Sequence, residues 1–183
     1  MTQLHPTLWR TCRALSGVVR LKLLHLVFAH PGQNVTQLAE SAGIGVSDAS
    51  QELRRLQSRG LLRRSRQGPA VVFAPVPDPQ VPAAAPLLKA LQLALANGDA
   101  DIELVARIAK GLAAERRIAL VRALRRGPQT SGQLALAAGR TAHSNLQKHV
   151  AVLKEGGWIA PEGRAYVLSP PRHPLTAALL PWL

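Results

Sequence analysis

Apolar side chains recur along this chain at three- and four-residue intervals, the spacing that gathers them on one face of an α-helix. Leu4, Leu8, Cys12 and Leu15 form the first such stripe; Leu21, Leu24 and Phe28 form a second that stops at His30-Pro31-Gly32, where proline and glycine break the pattern. A short third helix is expected after the break, because Asn34 and Gln37 have the spacing of a capping box, each side chain satisfying an orphan backbone amide of the other. A turn at Gly43 leads to a fourth helix over residues 46–59, with Ala49, Leu53 and Leu56 inward and Gly60 as a left-handed stop. Residues 61–76, LLRRSRQGPAVVFAPV, alternate around a Gly-containing tip and predict a β-hairpin.

The pattern occurs twice. At a shift of 97 residues, ALSGVVRLKLLHLV (14–27) lies over GLAAERRIALVRAL (111–124) and SDASQELRRLQSRGLL (47–62) over SNLQKHVAVLKEGGWI (144–159), while QLAESAG (37–43) matches QLALAAG (133–139) at a shift of 96. The second copy repeats each part in order: Val105, Ala109 and Leu112; then Ile118, Val121 and Leu124 up to Gly127-Pro128; then a Thr130/Gln133 capping box. Its fourth helix is expected over 142–156, burying Leu146, Val150 and Leu153, with Gly157 as the stop and a hairpin over 158–169. Between the copies PVPDPQVPAAAP (75–86) is expected to be a stiff, extended connector. Leu87, Leu88, Leu91 and Leu95 then form a helical stripe closed by Asn97-Gly98, and LTAALLPWL (175–183) is its counterpart after copy two. Both are too apolar to lie alone in water, so they are expected to cover each other, the first helices, or another chain.

Helix, turn, helix and two-stranded wing is the winged helix-turn-helix plan. The expected fold is mainly α with small β-hairpin wings: two winged helix-turn-helix domains in tandem, 1–80 and 99–183, joined by a linker and connecting helix over 81–98. RALSGVVRLKLLHLV, VTQLAESAGIGVSDASQELRRLQSRGLLRR and the second-copy SNLQKHVAVLKEGGWI resemble the opening and DNA-reading segments of ArsR-like winged-helix repressors. That resemblance implies a cytoplasmic transcriptional repressor whose first and last helices form a dimer interface. Two fused copies depart from the family plan, and their simplest reading is an intramolecular pseudo-dimer in which one chain carries both reading heads. A homodimer with four heads, joined through first and terminal helices, is the competing arrangement.

Charge points to the same partner. Lys plus Arg exceed Asp plus Glu by 13, divided as +6 on residues 1–80 and +7 on 81–183, and such an excess draws a polyanion such as double-stranded DNA. A codon bias toward Arg and Ala is the neutral explanation for the same excess. The apolar runs are interrupted by Lys89, Gln92, Arg116 and Arg117 before reaching the length of a membrane span, and no export signal opens the chain, so a soluble, cytoplasmic protein without a membrane partner is expected.

On the fourth helices, inward Ala49, Leu53 and Leu56 leave Ser47, Asp48, Ser50, Gln51, Arg54 and Arg55 toward DNA, with Glu52 at the flank; inward Leu146, Val150 and Leu153 leave Ser144, Asn145, Gln147 and Lys148, with His143 at the entry. Asn and Gln pair bidentately with adenine, Lys donates to guanine or phosphate, and Ser reaches either. Asp48 and Glu52 oppose DNA unless an arginine or a cytosine amino group takes them up, which makes copy one the weaker or differently specific reader. Arg63, Arg64 and Arg66 on the first wing, and Arg164 on the second, are the expected phosphate or minor-groove contacts. Against this stand an ordinary solvated helix face and strand-edge solubilising charge. The metal sites of ArsR-like proteins do not carry over: no Cys-x-Cys pair precedes the recognition helix, and His5, His25, His30, His143, His149 and His173 lack ligand spacing. Lone Cys12, on the apolar stripe and aligned with Ala109, reads as a small buried residue, and His25, aligned with Arg122, as part of a solvated face. No cofactor and no enzymatic activity are expected. A winged-helix protein-interaction scaffold and a nonspecific nucleic-acid-binding protein are the competing functions.

Overall fold

The computed structural model describes residues 7–139 and 142–183, so Leu4 and His5 lie outside the described residues. The chain is mainly helical, with two small antiparallel sheets. Copy one runs α1 (Leu8–Leu15), α2 (Val18–Ala29), α3 (Val35–Ala42), α4 (Val46–Gln57), the hairpin β1 (Arg63–Gln67) and β2 (Ala70–Ala74), and α5 (Ala84–Ala94). Copy two runs α6 (Asp99–Leu112), α7 (Glu115–Leu124), the short β3 (Gln129–Thr130), α8 (Ser131–Ala137), α9 (His143–Glu155), the hairpin β4 (Ile159–Glu162) and β5 (Ala165–Leu168), α10 (Pro174–Leu179) and a closing 3₁₀ turn, Leu180–Trp182.

Local chemistry sets several of these boundaries. Helix α3 opens on a complete capping box, with the Asn34 amide donating to Gln37 Oε1 at 2.9 Å and the Gln37 amide to Asn34 Oδ1 at 3.0 Å. Helix α8 repeats it through Thr130 and Gln133, at 2.8 and 3.4 Å. Gly60 (φ 75°) and Gly157 (φ 73°) turn the chain out of α4 and α9 through the left-handed region, which costs a Cβ-bearing residue conformational energy. Arg20 donates to the carbonyls of Ala14 and Arg13, and Arg117 donates to those of Gly111 and Lys110, so the same side chain caps the end of the first helix in both copies.

Like elements pack on like. Helix α1 lies against α6, and α5 against α10, so the two apolar helices of the sequence pattern cover one another. Leu87, Leu88, Leu91 and Leu95 are buried on one side of that contact, and Leu175 and Leu179 on the other. Helix α2 packs on α3, α4 and also α6, which explains why Leu23 and Val27 are buried outside the expected stripe, while Phe28 is only partly covered. One apolar core, from Cys12 to Leu179, runs through both copies without a break. Burial pushes the Cys12 thiol up to about 12 against the opposing charge of Arg117, so it stays protonated at neutral pH.

Two expectations are corrected. His25 is not on a solvated face: it is half-buried, and its Nδ1 lies 2.8 Å from the Leu95 carbonyl, because the end of α5 returns over α2. Its counterpart Arg122 does the same for the other terminal helix, donating to the Leu183 carbonyl at 3.0 Å. The proline connector is not extended throughout, since from Asp78 it coils into turns, the Asp78 amide bonding Gly60 O at 2.8 Å and Val81 burying itself beside Gly60.

Candidate nucleic-acid interface

Helix α4 is seated by Ala49, Leu53 and Leu56, all with no exposed surface, and α9 by Leu146, Val150 and Leu153. Burying that stripe fixes the rotation of each helix, so the opposite side faces outward by geometry alone. On α4 this leaves Ser47, Asp48, Gln51, Arg54 and Arg55 exposed and Ser50 half-buried. On α9 it leaves His143, Ser144, Asn145 and Lys148 exposed, with Gln147 half-buried and its Nε2 3.5 Å from His143 Nε2 one turn back.

The arginines of α4 divide between its two flanks. Arg54 joins Ser50, the hairpin's Arg64 and Val71, the α3 cap Asn34 and the first-turn Thr36 around a concavity of about 380 Å³. The amino end of α3 adds its own partial positive charge there, so two guanidinium groups and a helix terminus converge beside the exposed polar face. Arg55 turns the other way. It pairs with Glu52, whose second oxygen accepts from Arg20 Nε at 2.6 Å. Glu52 therefore does not present a bare carboxylate to a polyanion, because α2 brings Arg20 under it, and Arg55 is drawn off the outward face by the same pair.

Every residue of β1 is exposed, Arg63, Arg64 and Arg66 included, and its partner strand β2 buries Val72 and Phe73. The second hairpin carries exposed Arg164 two residues from exposed Glu162 and is close to neutral. It gains a third strand instead, β3 pairing with β5 through Gln129–Tyr166 and Thr130–Ala165, where copy one has only the single bridge Asn34–Val72. Sequence reading missed β3 because two residues carry no periodicity. It also missed the α3 contribution to the arginine concavity, which depends on a tertiary neighbour and leaves no local signal.

His149 stands where copy one has Glu52. Partial burial, and then Arg117 and Arg116, hold its pKa below the usual imidazole value, so it is neutral at physiological pH. Among the described residues no three His, Cys, Asp or Glu side chains gather where they could hold a metal ion, and no helix is long and apolar enough to cross a membrane. Comparison with protein-family models, curated proteins and solved structures returns no match to this chain.

Proposed function

We propose that this chain is a sequence-specific DNA-binding transcription regulator, acting as a repressor, built from two ArsR-like winged helix-turn-helix units fused in one polypeptide. In this reading α4 and α9 enter the major groove, and the hairpins and the amino end of α3 hold phosphates. The packing of α1 on α6 and of α5 on α10 supports an intramolecular pseudo-dimer, since first and last helices are the surfaces through which the ArsR-like plan pairs two chains.

The observation that carries the proposal is the convergence of Arg54, Arg64 and the start of α3 beside the exposed face of α4. Guanidinium groups and the positive end of a helix dipole are what phosphate oxygens seek. The two copies divide the work. Copy two presents Asn145, Gln147 and Lys148 on α9, with the chemistry to read adenine and guanine, beside a nearly neutral hairpin. Copy one grips the backbone through Arg54, Arg63, Arg64 and Arg66 and reads through Ser47, Ser50 and Gln51.

The scaffold alternative relies on bare apolar terminal helices and on acidic residues along α4. Helices α5 and α10 cover each other, and Glu52 is taken up by two arginines, so both supports weaken. An electrophoretic mobility shift with DNA from upstream of the coding sequence tests the proposal. If about six phosphates are neutralised, log affinity falls against log salt with a slope of about −5. Absence of a shifted band would contradict the proposal, and equal affinity for unrelated duplexes would favour the nonspecific alternative.

A further inference from the structure

On the flank of α4 opposite the arginine concavity, a recess of about 540 Å³ opens between α1, the start of α2 and the end of α4. Its size falls within the range of about 300–1,000 Å³ usual for small-molecule sites. Five arginines line it: Arg10, Arg13, Arg20, Arg55 and Arg59, together with Trp9. We propose that this recess is a binding site for a small polyanion carrying at least two phosphate or carboxylate groups.

Four of the five arginines are held in place before any ligand arrives. The Arg10 guanidinium lies 5.1 Å from the centroid of the Trp9 ring, and Arg59 Nε donates to Ser58 Oγ at 3.3 Å. Arg20, with its side chain only 11% exposed, forms the floor and is tied to the Ala14 carbonyl and to Glu52. Glu52 is shared between Arg20 and Arg55, and among the described residues no carboxylate pairs with Arg10, Arg13 or Arg59. Five like charges facing one carboxylate repel one another, and an entering anion relieves that repulsion through charge-assisted, bidentate hydrogen bonds.

The second copy supplies an internal contrast. At the repeat shift of 97, Trp9, Arg13, Arg55 and Arg59 become Ala106, Lys110, Val152 and Gly156. Lys110 is paired with Glu155 at 3.4 Å, at the position of Ser58, and the Trp158 indole packs onto Gly111 and Gly156. Arg10 and Arg20 keep basic counterparts in Arg107 and Arg117, but copy two loses two of the five arginines, pairs the lysine that replaces a third, and packs an indole beside them. A duplex backbone is the competing anion, but it lies along a surface, whereas the floor guanidinium here is recessed.

Calorimetric titration of the full chain with inorganic pyrophosphate, in the absence of DNA, tests the site independently of the DNA-reading proposal. One pyrophosphate per chain is expected, with affinity reduced by about tenfold or more in Arg13→Gln/Arg59→Gln and nearly unchanged in Arg125→Gln/Arg126→Gln, which removes equal charge from the exposed end of α7. Arg10→Gln, on the other side of the recess, is expected to weaken binding in the same direction and guards against a misfolded double variant. Equal losses in the two double variants, or no saturable heat, would overturn the site. So would unchanged pyrophosphate binding alongside weakened duplex binding in Arg13→Gln/Arg59→Gln, which would make these arginines backbone contacts.

Discussion

The Trp158 indole lies across Gly111, its Nε1 donating to the Ile108 carbonyl at 2.8 Å. A Cβ at Gly111 would fall 2.6 Å from that nitrogen and closer still to Cδ1. In copy one the corresponding pair is Ala14 and Leu61, so the repeat exchanges size between the two positions, and in copy two the small residue lets α6 sit on α9. In an exposed helix Gly→Ala gains about 1 kcal/mol. At Gly111 the overlap prevails, and Gly111→Ala is expected to destabilise the chain by about 1–3 kcal/mol in urea unfolding. Gly111→Ala/Trp158→Leu, which installs the copy-one pair, should recover part of that loss; a stabilising Gly111→Ala would contradict the packing described.

Two imidazoles make stability depend on pH. His149 and His173 are both held below the usual value of 6.5, mainly by burial, and for His173 against an opposing pull from Asp101. His173 also caps α10, its Nδ1 accepting from the Leu175 amide at 3.2 Å, a bond that protonation of that nitrogen removes. The unfolded chain binds these protons more readily than the folded one, so stability is full above pH 6.5 and falls as the pH drops through the depressed folded values. Urea midpoints at pH 7.5 and 5.5 should differ less in His149→Gln/His173→Asn than in the parent, the Asn retaining a capping oxygen. An unchanged difference would mean that other groups carry the dependence.

The division of work between the copies separates two sets of variants. Asn145→Ala/Lys148→Ala is expected to relax base preference, costing about 1–3 kcal/mol on the preferred site and little elsewhere. Arg63→Ala/Arg64→Ala/Arg66→Ala is expected to weaken all duplexes alike and to make the salt slope shallower by about 3. Affinities measured by fluorescence anisotropy on preferred and scrambled duplexes check both; equal behaviour of the two sets would contradict the assignment.

What was legible in the sequence is what neighbouring residues decide. The capping boxes at Asn34/Gln37 and Thr130/Gln133, the stops at Gly60 and Gly157, and the inward stripes of α4 and α9 each follow from a few adjacent side chains, and each stands where the pattern put it. The duplication added what one copy alone would not have, the pairing of equivalent helices. Distant partners were not legible. His25 finds the Leu95 carbonyl 70 residues away, and Glu52 finds Arg20 from 32 residues away. Helical periodicity placed Arg54 and Arg55 outward together, but which neighbour stands on each flank decides that one meets the hairpin and the other turns to Glu52.

Selection from a random duplex library by the full chain, followed by sequencing, tests the central claim most directly. Two unequal heads in one polypeptide predict an enriched site made of two unlike half-sites, with preference in one half lost in Asn145→Ala/Lys148→Ala. No enriched sequence, or a site of two identical halves, would contradict the account.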